Sequence, residues 1–183
     1  MTTALLLMDF QNGIAGRPGF EPVIEAADKA LKTARAQGIP VIFVRVAFRP
    51  GYPEVAASNL AFSALAGGGD GMHHDQAPTQ VIDRFEPQGN EHVVVKKRIS
   101  AFAGSDLDLL LRGLGVDSLV LGGIATSGVV LSTVRQAADL DFRLTVLADA
   151  CGDGDPEVHR VLTEKVFPRQ AVVTTVADWA ESL

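Results

Sequence analysis

Apolar runs of strand length alternate with helix-length segments along most of this 183-residue chain. Such alternation is typical of β–α–β crossover units and of a parallel sheet that is buried on both faces. Six runs are predicted strands: Ala4–Met8, Pro40–Val46, His92–Lys96, Ser118–Leu121, Leu144–Ala148 and Ala171–Thr175. The pattern therefore predicts an α/β fold of three layers, a doubly wound (Rossmann-like) six-stranded parallel sheet with helices on both faces.

The segments between the strands show the period of about 3.6 residues that marks helices. Five ranges are predicted helices: Pro22–Gln37, Asp106–Leu114, Ser127–Ala138, Asp155–Val166 and Val176–Ser182. Two of these have capping signals at their N-termini, Ser105 or Asp106 in one case and Asp155-Pro156 in the other. The length and the apolar content of 47% predict a single domain, residues 1–183, with its own core.

Charge and composition limit the class of partner. The formal net charge is −6, and the one basic run is Lys96-Lys97-Arg98. Because nucleic-acid binding depends on neutralising phosphates, this balance argues against a nucleic-acid partner and favours a small molecule. No apolar stretch approaches the roughly 18 residues of a membrane span, and no secretory leader is evident, so we expect no membrane partner and a cytoplasmic location. Cys151 is the only cysteine, which excludes an intramolecular disulfide.

Residues Ala47–Pro78 interrupt the strand–helix rhythm with glycine-rich turns and no sustained period. Loops of this length in compact domains are usually functional or mobile. The stretch is either a substrate lid, in which Phe48, Tyr52 and Phe62 line the pocket, or a loop that these aromatic rings pack down or that forms an oligomer contact. We include Phe48 among the predicted substrate-binding residues.

Three polar or glycine-rich segments follow predicted strands, where ligands of open parallel sheets bind. Asp9 ends the first strand, Lys96 ends the third, and the turn Gly123–Val130 follows the fourth. A carboxylate at the end of a buried apolar run needs a partner to stay charged, and Lys96 is the natural candidate. The alternative is that Asp9 only caps the amides of the next turn.

Four motifs occur in order along the chain: Asp9-Phe10-Gln11-Asn12, Lys96 before Ser100-Ala101-Phe102, Gly123-Ile124-Ala125-Thr126-Ser127-Gly128-Val129-Val130, and Leu147-Ala148-Asp149-Ala150-Cys151. In this order and spacing, the chain resembles the isochorismatase-like family of cysteine hydrolases over essentially its whole length. The resemblance implies that family's hydrolase fold and its habit of forming homo-oligomers. We expect a small-molecule substrate and no cofactor.

The resemblance also implies roles for individual residues. Asp9 and Lys96 are the expected catalytic pair, and the offset from Ser100-Ala101-Phe102 selects Lys96 over Lys97. Gln11 either orients this pair or satisfies backbone groups of the turn. Phe102 is an expected substrate-binding residue.

The turn after the fourth predicted strand contributes backbone groups. By resemblance, the Ile124–Ala125 peptide bond is cis, and the amides of Ala125 and Val129 form an oxyanion hole. The start of a helix also favours an anion, through its free amides and dipole. Thr126 and Ser127 are the hydroxyl residues of this turn, and we interpret them as helix caps.

Val129 occupies the position at which the family has its catalytic cysteine. A valine cannot attack a carbonyl, so covalent catalysis is excluded at this position. Cys151 also follows a predicted strand, but no histidine adjoins it in sequence, and we predict a buried, inert thiol.

We expect no metal site. The nicotinamidase branch of the family binds a metal through an Asp-x-His pattern after the second strand, where this chain has Arg45-Val46-Ala47-Phe48-Arg49. His73-His74-Asp75 is a conceivable cluster, but adjacent histidines in a glycine-rich loop are usually solvated.

Isochorismatases proper hydrolyse a vinyl ether without a cysteine. The sequence therefore predicts a hydrolase that acts on a small anionic molecule by general acid catalysis through Asp9 and Lys96. The alternative is a catalytically silent member of the family that binds a ligand or serves as an oligomeric protein.

Overall fold

The computed structural model describes residues 2–183 and contains one six-stranded sheet. All strand pairs are parallel, in the order β3-β2-β1-β4-β5-β6. The strands are β1 (Thr3–Met8), β2 (Val41–Val46), β3 (His92–Lys96), β4 (Ser118–Ile124), β5 (Arg143–Gly152) and β6 (Val172–Thr174). The predicted fold class is confirmed.

Helices cover both faces of the sheet. They are α1 (Asn12–Ala15), α2 (Glu21–Ala36), α3 (Leu60–Gly67), α4 (Leu107–Gly113), α5 (Leu131–Asp139), α6 (Pro156–Val161) and α7 (Val176–Glu181). Because side chains alternate along β1, Leu6 packs in one core cluster with residues of α4 and α5, while Leu5 packs in another with residues of α2 and α7. No helix within residues 2–183 is long and apolar enough to cross a membrane.

Strands β4 and β5 extend further than predicted, to Ile124 and Gly152. The prediction ended β4 at Leu121, before two glycines. Those glycines lie within the strand, since a Cβ at Gly123 would come within 2.9 Å of the Met8 carbonyl oxygen on β1. The glycine thus permits a close approach of two backbones rather than a turn.

The helices differ from prediction at their ends. The segment predicted as Ser127–Ala138 begins with a π-helical turn, Thr126–Val130, before α5. The segment predicted as Asp155–Val166 is α6 followed by a second π-helical turn, Leu162–Val166. The short helices α1 and α3 were not predicted, because neither sustains an amphipathic period.

The two predicted caps give different results. Asp155 caps α6 as predicted, since its carboxylate accepts hydrogen bonds from the amides of Glu157 and Val158. At α4 the Ser105 hydroxyl accepts the amide of Leu107, while the Asp106 side chain makes no cap bond. Of the two alternatives offered by the sequence, the serine is therefore the cap.

The strand order places β1 beside β4, and the chain winds outward from this pair in both directions. Such a reversal is the switch point at which α/β sheets open a crevice at their carboxyl ends. Asp9 follows β1 at this point, and the turn from Ala125 follows β4. The predicted site residues thus meet where the topology favours a ligand.

Candidate active site

Asp9 and Lys96 form a buried ion pair across strand β2. The register aligns Met8 with Val44 and Val46 with Lys96, so the lysine reaches over the intervening strand toward the end of β1. The Lys96 Nζ lies 3.0 Å from the Asp9 Oδ2, and the two side chains are only 2% and 7% exposed. The pairing inferred from the sequence is therefore present in the structure.

Asp9 has an unusual backbone conformation, and within residues 2–183 only one of its two carboxylate oxygens has a partner. Its backbone has a φ of 60°, a left-handed conformation unusual for a residue other than glycine. Its Oδ1 is buried and has no hydrogen-bond partner among residues 2–183, so it does not cap the next turn. Burial raises the pKa of this carboxyl from 3.8 to about 6, although the charge and hydrogen bond of Lys96 act in the opposite direction.

The Lys96 ammonium is fully engaged. Besides Asp9, it donates to the carbonyl oxygens of Arg98 and Ile99, each at 3.0 Å. These three bonds match the three donors of an ammonium, so Lys96 is held as a fixed positive charge. Lys97 points elsewhere, with its Nζ 2.9 Å from the Nε2 of His74.

The turn after β4 begins with a cis peptide bond between Ile124 and Ala125. The carbonyl oxygen of Ala125 accepts the amides of Gly128 and Val130, which winds the following π-helical turn around it. Val129 is 3% exposed and belongs to the apolar core cluster. The position of the missing nucleophile is therefore filled by a buried methyl-bearing side chain.

The hydroxyl residues of this turn do not cap it, so the capping interpretation is wrong. The Thr126 hydroxyl is buried and pairs with the Nδ1 of His159 at 2.8 Å. The amide of Ser127 donates instead to the Oδ2 of Asp153 at 2.7 Å. Sequence reasoning missed Asp153 and His159, although Asp153 directly follows β5 at a strand carboxyl end.

The Gln11 side chain forms hydrogen bonds to two separate backbone segments. Its amide group donates to the carbonyl oxygens of Val46 and Thr79, at 2.9 and 2.8 Å, and accepts the Val46 amide at 2.8 Å. The side chain is completely buried. These bonds support the backbone alternative for Gln11. None of them reaches Asp9 or Lys96, so the alternative that Gln11 orients this pair is corrected.

Phe48 and Phe102 are buried and pack against other aromatic rings. Phe48 is fully buried, with its ring centroid 5.6 Å from those of both Tyr52 and Phe62. Phe102 is 7% exposed and lies 5.9 Å from the Phe142 ring. The aromatic rings therefore pack the 47–78 loop down, and the predicted substrate contacts of Phe48 and Phe102 are corrected.

The sequence predicted that the two adjacent histidines of this loop are solvated, and this prediction is wrong. His73 is buried, with its ring centroid 4.7 Å from that of Tyr52, and His74 is bonded to Lys97. Within residues 2–183, no group of three or more His, Cys, Asp or Glu side chains is arranged to hold a metal ion.

Cys151 lies in the apolar interior at 2% exposure. Burial raises the pKa of its thiol to about 12, and the sulfur faces the Leu121 carbonyl oxygen at 3.9 Å. With its pKa raised in this way, the Cys151 thiol is protonated at neutral pH. Because only the thiolate is strongly nucleophilic, Cys151 is the inert thiol that the sequence predicted.

A cavity of about 430 Å³ opens beside the cis peptide. Its lining includes Ile124, Ala125 and residues of the loop after α1. Strands β1 and β4 are paired as far as Met8 and Gly123, so Asp9 and the cis peptide both follow the carboxyl end of this strand pair. Asp9 itself is not among the residues that line the cavity.

Comparisons with known proteins identify the family of this chain. The model of the Isochorismatase domain matches residues 3–178. An uncharacterized isochorismatase family protein of Escherichia coli O157:H7, YecD, is 34% identical over 100% of this chain and 96% of its own length. The ureidoacrylate amidohydrolase RutB of Stutzerimonas stutzeri is 36% identical over 99% of this chain and 79% of its own length.

Solved structures give the same assignment. The N-carbamoylsarcosine amidase from Thermoplasma acidophilum superposes with a TM-score of 0.78 and 30% identity, over 96% of this chain and 97% of that one. The match to the domain model spans nearly the whole chain. The chain therefore belongs to the isochorismatase family of hydrolases.

Proposed function

We propose that this protein hydrolyses a small anionic molecule by direct addition of water, with Asp9 as general acid and Lys96 as its fixed charge partner. The observation that carries the proposal is the Asp9 carboxyl, which has one oxygen on Lys96, one buried oxygen without a partner, and a pKa raised to about 6. General acids work best when their pKa lies near the working pH.

Hydrolysis of a vinyl ether suits such an acid. Asp9 donates its proton to the terminal carbon of the enol ether, which leaves an oxocarbenium ion stabilised by the new carboxylate. Water adds to that ion, and the resulting hemiketal breaks into an alcohol and a ketone. The proton released by the water restores Asp9, so no covalent intermediate with the protein is formed.

The side chains at the turn support a route without a nucleophile. Val129 offers no reactive atom, and the Cys151 thiol has its pKa raised to about 12 by burial. The Thr126 hydroxyl is completely buried and bonded to His159. Among the relatives compared above, two are named as an amidohydrolase and an amidase; we propose that this chain shares their site architecture but not a covalent step.

A solvent-isotope experiment tests this route. In D₂O, a carboxylate-bearing vinyl ether should be hydrolysed to a ketone that carries one deuterium on the former terminal carbon, because the acid delivers a solvent-exchanged proton to carbon. Mass spectrometry and proton NMR of the product measure the incorporation. A product formed by the protein without deuterium at that carbon would contradict carbon protonation by an acid.

A catalytically silent ligand-binding protein is the second candidate. The observation that favours it is burial, because Val129 is 3% exposed and Asp9 is 5% exposed. A site closed at these positions could keep the fold of the family without its chemistry.

The Val129→Cys variant separates the two candidates. Valine and cysteine are similar in volume, so the fold should tolerate the change. If the site is open to solutes, a thiol just before the N-terminus of α5 should have a lowered pKa, and it should react with iodoacetamide at least about tenfold faster than Cys151 at neutral pH. Peptide mapping measures both rates in one sample. A folded variant in which the new thiol is as inert as Cys151 would favour the silent protein.

A further inference from the structure

The cavity beside the cis peptide has two charged side chains of opposite sign. It is lined by Ile14, Arg17, Pro18, Gly19, Phe20, Ile124, Ala125, Asp153, Gly154 and Pro156. Arg17 is the cation in this set, and Asp153 is the anion. The remaining lining residues are apolar or glycine, so a ligand here would meet one charge of each sign and hydrocarbon.

Asp153 places a negative charge at the start of the helical turn. Its carboxylate accepts the Ser127 amide at 2.7 Å and the Asp155 amide at 3.2 Å. Burial alone would raise the pKa of this carboxyl, but the hydrogen bonds from Ser127, Asp155 and Gly154 lower it overall. Asp153 is therefore ionised at neutral pH. Its carboxylate occupies the free amide of the turn, to which an external anion would otherwise bind.

Arg17 has no such internal partner. It lies in the exposed loop after α1, and it forms no ion pair with any residue in the range 2–183. A guanidinium binds a carboxylate through two parallel hydrogen bonds, and this bond strengthens where apolar walls exclude water. An anionic group in the cavity should therefore bind Arg17 rather than the turn.

We propose that this cavity binds a small zwitterion, with its carboxylate on Arg17 and its ammonium on Asp153. Each Asp153 oxygen already accepts one amide, and a carboxylate has further lone pairs that can accept an ammonium. The side chains of Phe20, Ile124 and Pro156 would contact the methylene groups between the two charges. This binding site goes beyond the proposed function, because binding of a zwitterion in the cavity requires no turnover.

A series of ω-amino acids measures the spacing of the two charges. We expect one member among glycine, β-alanine, 4-aminobutyrate, 5-aminopentanoate and 6-aminohexanoate to bind best in isothermal titration calorimetry. That member should bind at least about fivefold more tightly than the carboxylate or the amine of the same length, because each lacks one charge-assisted hydrogen bond. If no member binds, or if the singly charged analogues bind equally well, the proposal is wrong.

Two variants test which charged group of the ligand binds Arg17 and which binds Asp153. Arg17→Gln should weaken binding of the zwitterion about fivefold and abolish its advantage over the amine. Asp153→Asn keeps an oxygen for the turn but should abolish the advantage over the carboxylate. Matched controls are Arg169→Gln and Asp139→Asn, both at exposed positions away from the cavity, and neither should change the affinity.

The same titrations separate this proposal from the catalytic one. Asp9 does not line the cavity, so its carboxyl is not part of the zwitterion site. Binding that persists while Asp9 proves dispensable for hydrolysis would overturn the proposed mechanism alone. Unchanged affinity in folded Arg17→Gln protein would overturn the zwitterion site alone.

Discussion

Replacing Asp9 with Asn should lower the hydrolytic turnover of a vinyl-ether substrate by about 100-fold or more. General acid catalysis contributes roughly 10²–10⁴-fold to rates, and an amide cannot deliver the proton. Asparagine keeps the shape of the side chain and can still accept a hydrogen bond from Lys96, so the fold should survive. Steady-state kinetics measures the loss, and circular dichroism verifies folding.

The pH dependence of the wild-type protein provides a second readout for the same residue. The acid must be protonated to act, and the pKa of Asp9 is raised to about 6. The rate should therefore be highest below pH 6 and fall as the pH rises through that value. Asp139→Asn is the matched control at an exposed position. If the folded Asp9→Asn variant shows the same turnover and the same pH profile as the wild type, Asp9 is not the acid.

Replacing Lys96 with Met should destabilise the protein at neutral pH by about 3–5 kcal/mol, the usual effect of removing one partner from a buried ion pair. The loss arises because the Asp9 carboxylate would remain buried without its cation. The carbonyl oxygens of Arg98 and Ile99 would lose their shared donor as well. Urea unfolding followed by tryptophan fluorescence measures the change, since Trp179 is buried in the core.

The destabilisation should depend on pH with a definite sign. Lys96 lowers the pKa of Asp9, so removing it raises this pKa further above its unfolded value of 3.8. The folded variant then binds a proton that the unfolded chain does not, and its stability should increase as the pH falls from 8 to about 5. The gap to the wild type should narrow over the same interval.

An exposed lysine provides the control for this comparison. Lys29→Met lies on the solvent side of α2 and should change stability by less than about 0.5 kcal/mol. A Lys96→Met protein whose loss of stability is equally small, or independent of pH, would show that the two side chains do not form a coupled buried pair in solution.

Several properties of this protein follow from the sequence alone. Continuous apolar runs such as Leu5–Leu7 and Ile42–Val44 indicate strands buried in a parallel sheet, because only such strands need no polar face. Asp9 and Lys96 directly follow apolar runs, which places both at strand carboxyl ends. Val129 excludes a nucleophile at its position whatever the fold, because valine has no reactive atom.

The tertiary structure decided which side chains meet. Lys96 contacts Asp9 only because β2 lies between their strands and lets the longer side chain reach across. Gln11 binds backbone groups, and Phe48 packs in the interior, although a short motif and a long loop suggested contact with substrate.

Asp153 and Arg17 are the clearest example of residues whose proximity the sequence did not predict. They are far apart in sequence, yet one cavity brings them together beside the turn after β4. Apolar periodicity indicates which face of a helix or strand is buried, since burial acts on each residue separately. It does not indicate which loops lie next to one another, because that depends on the strand order and on the crossovers that join distant parts of the chain.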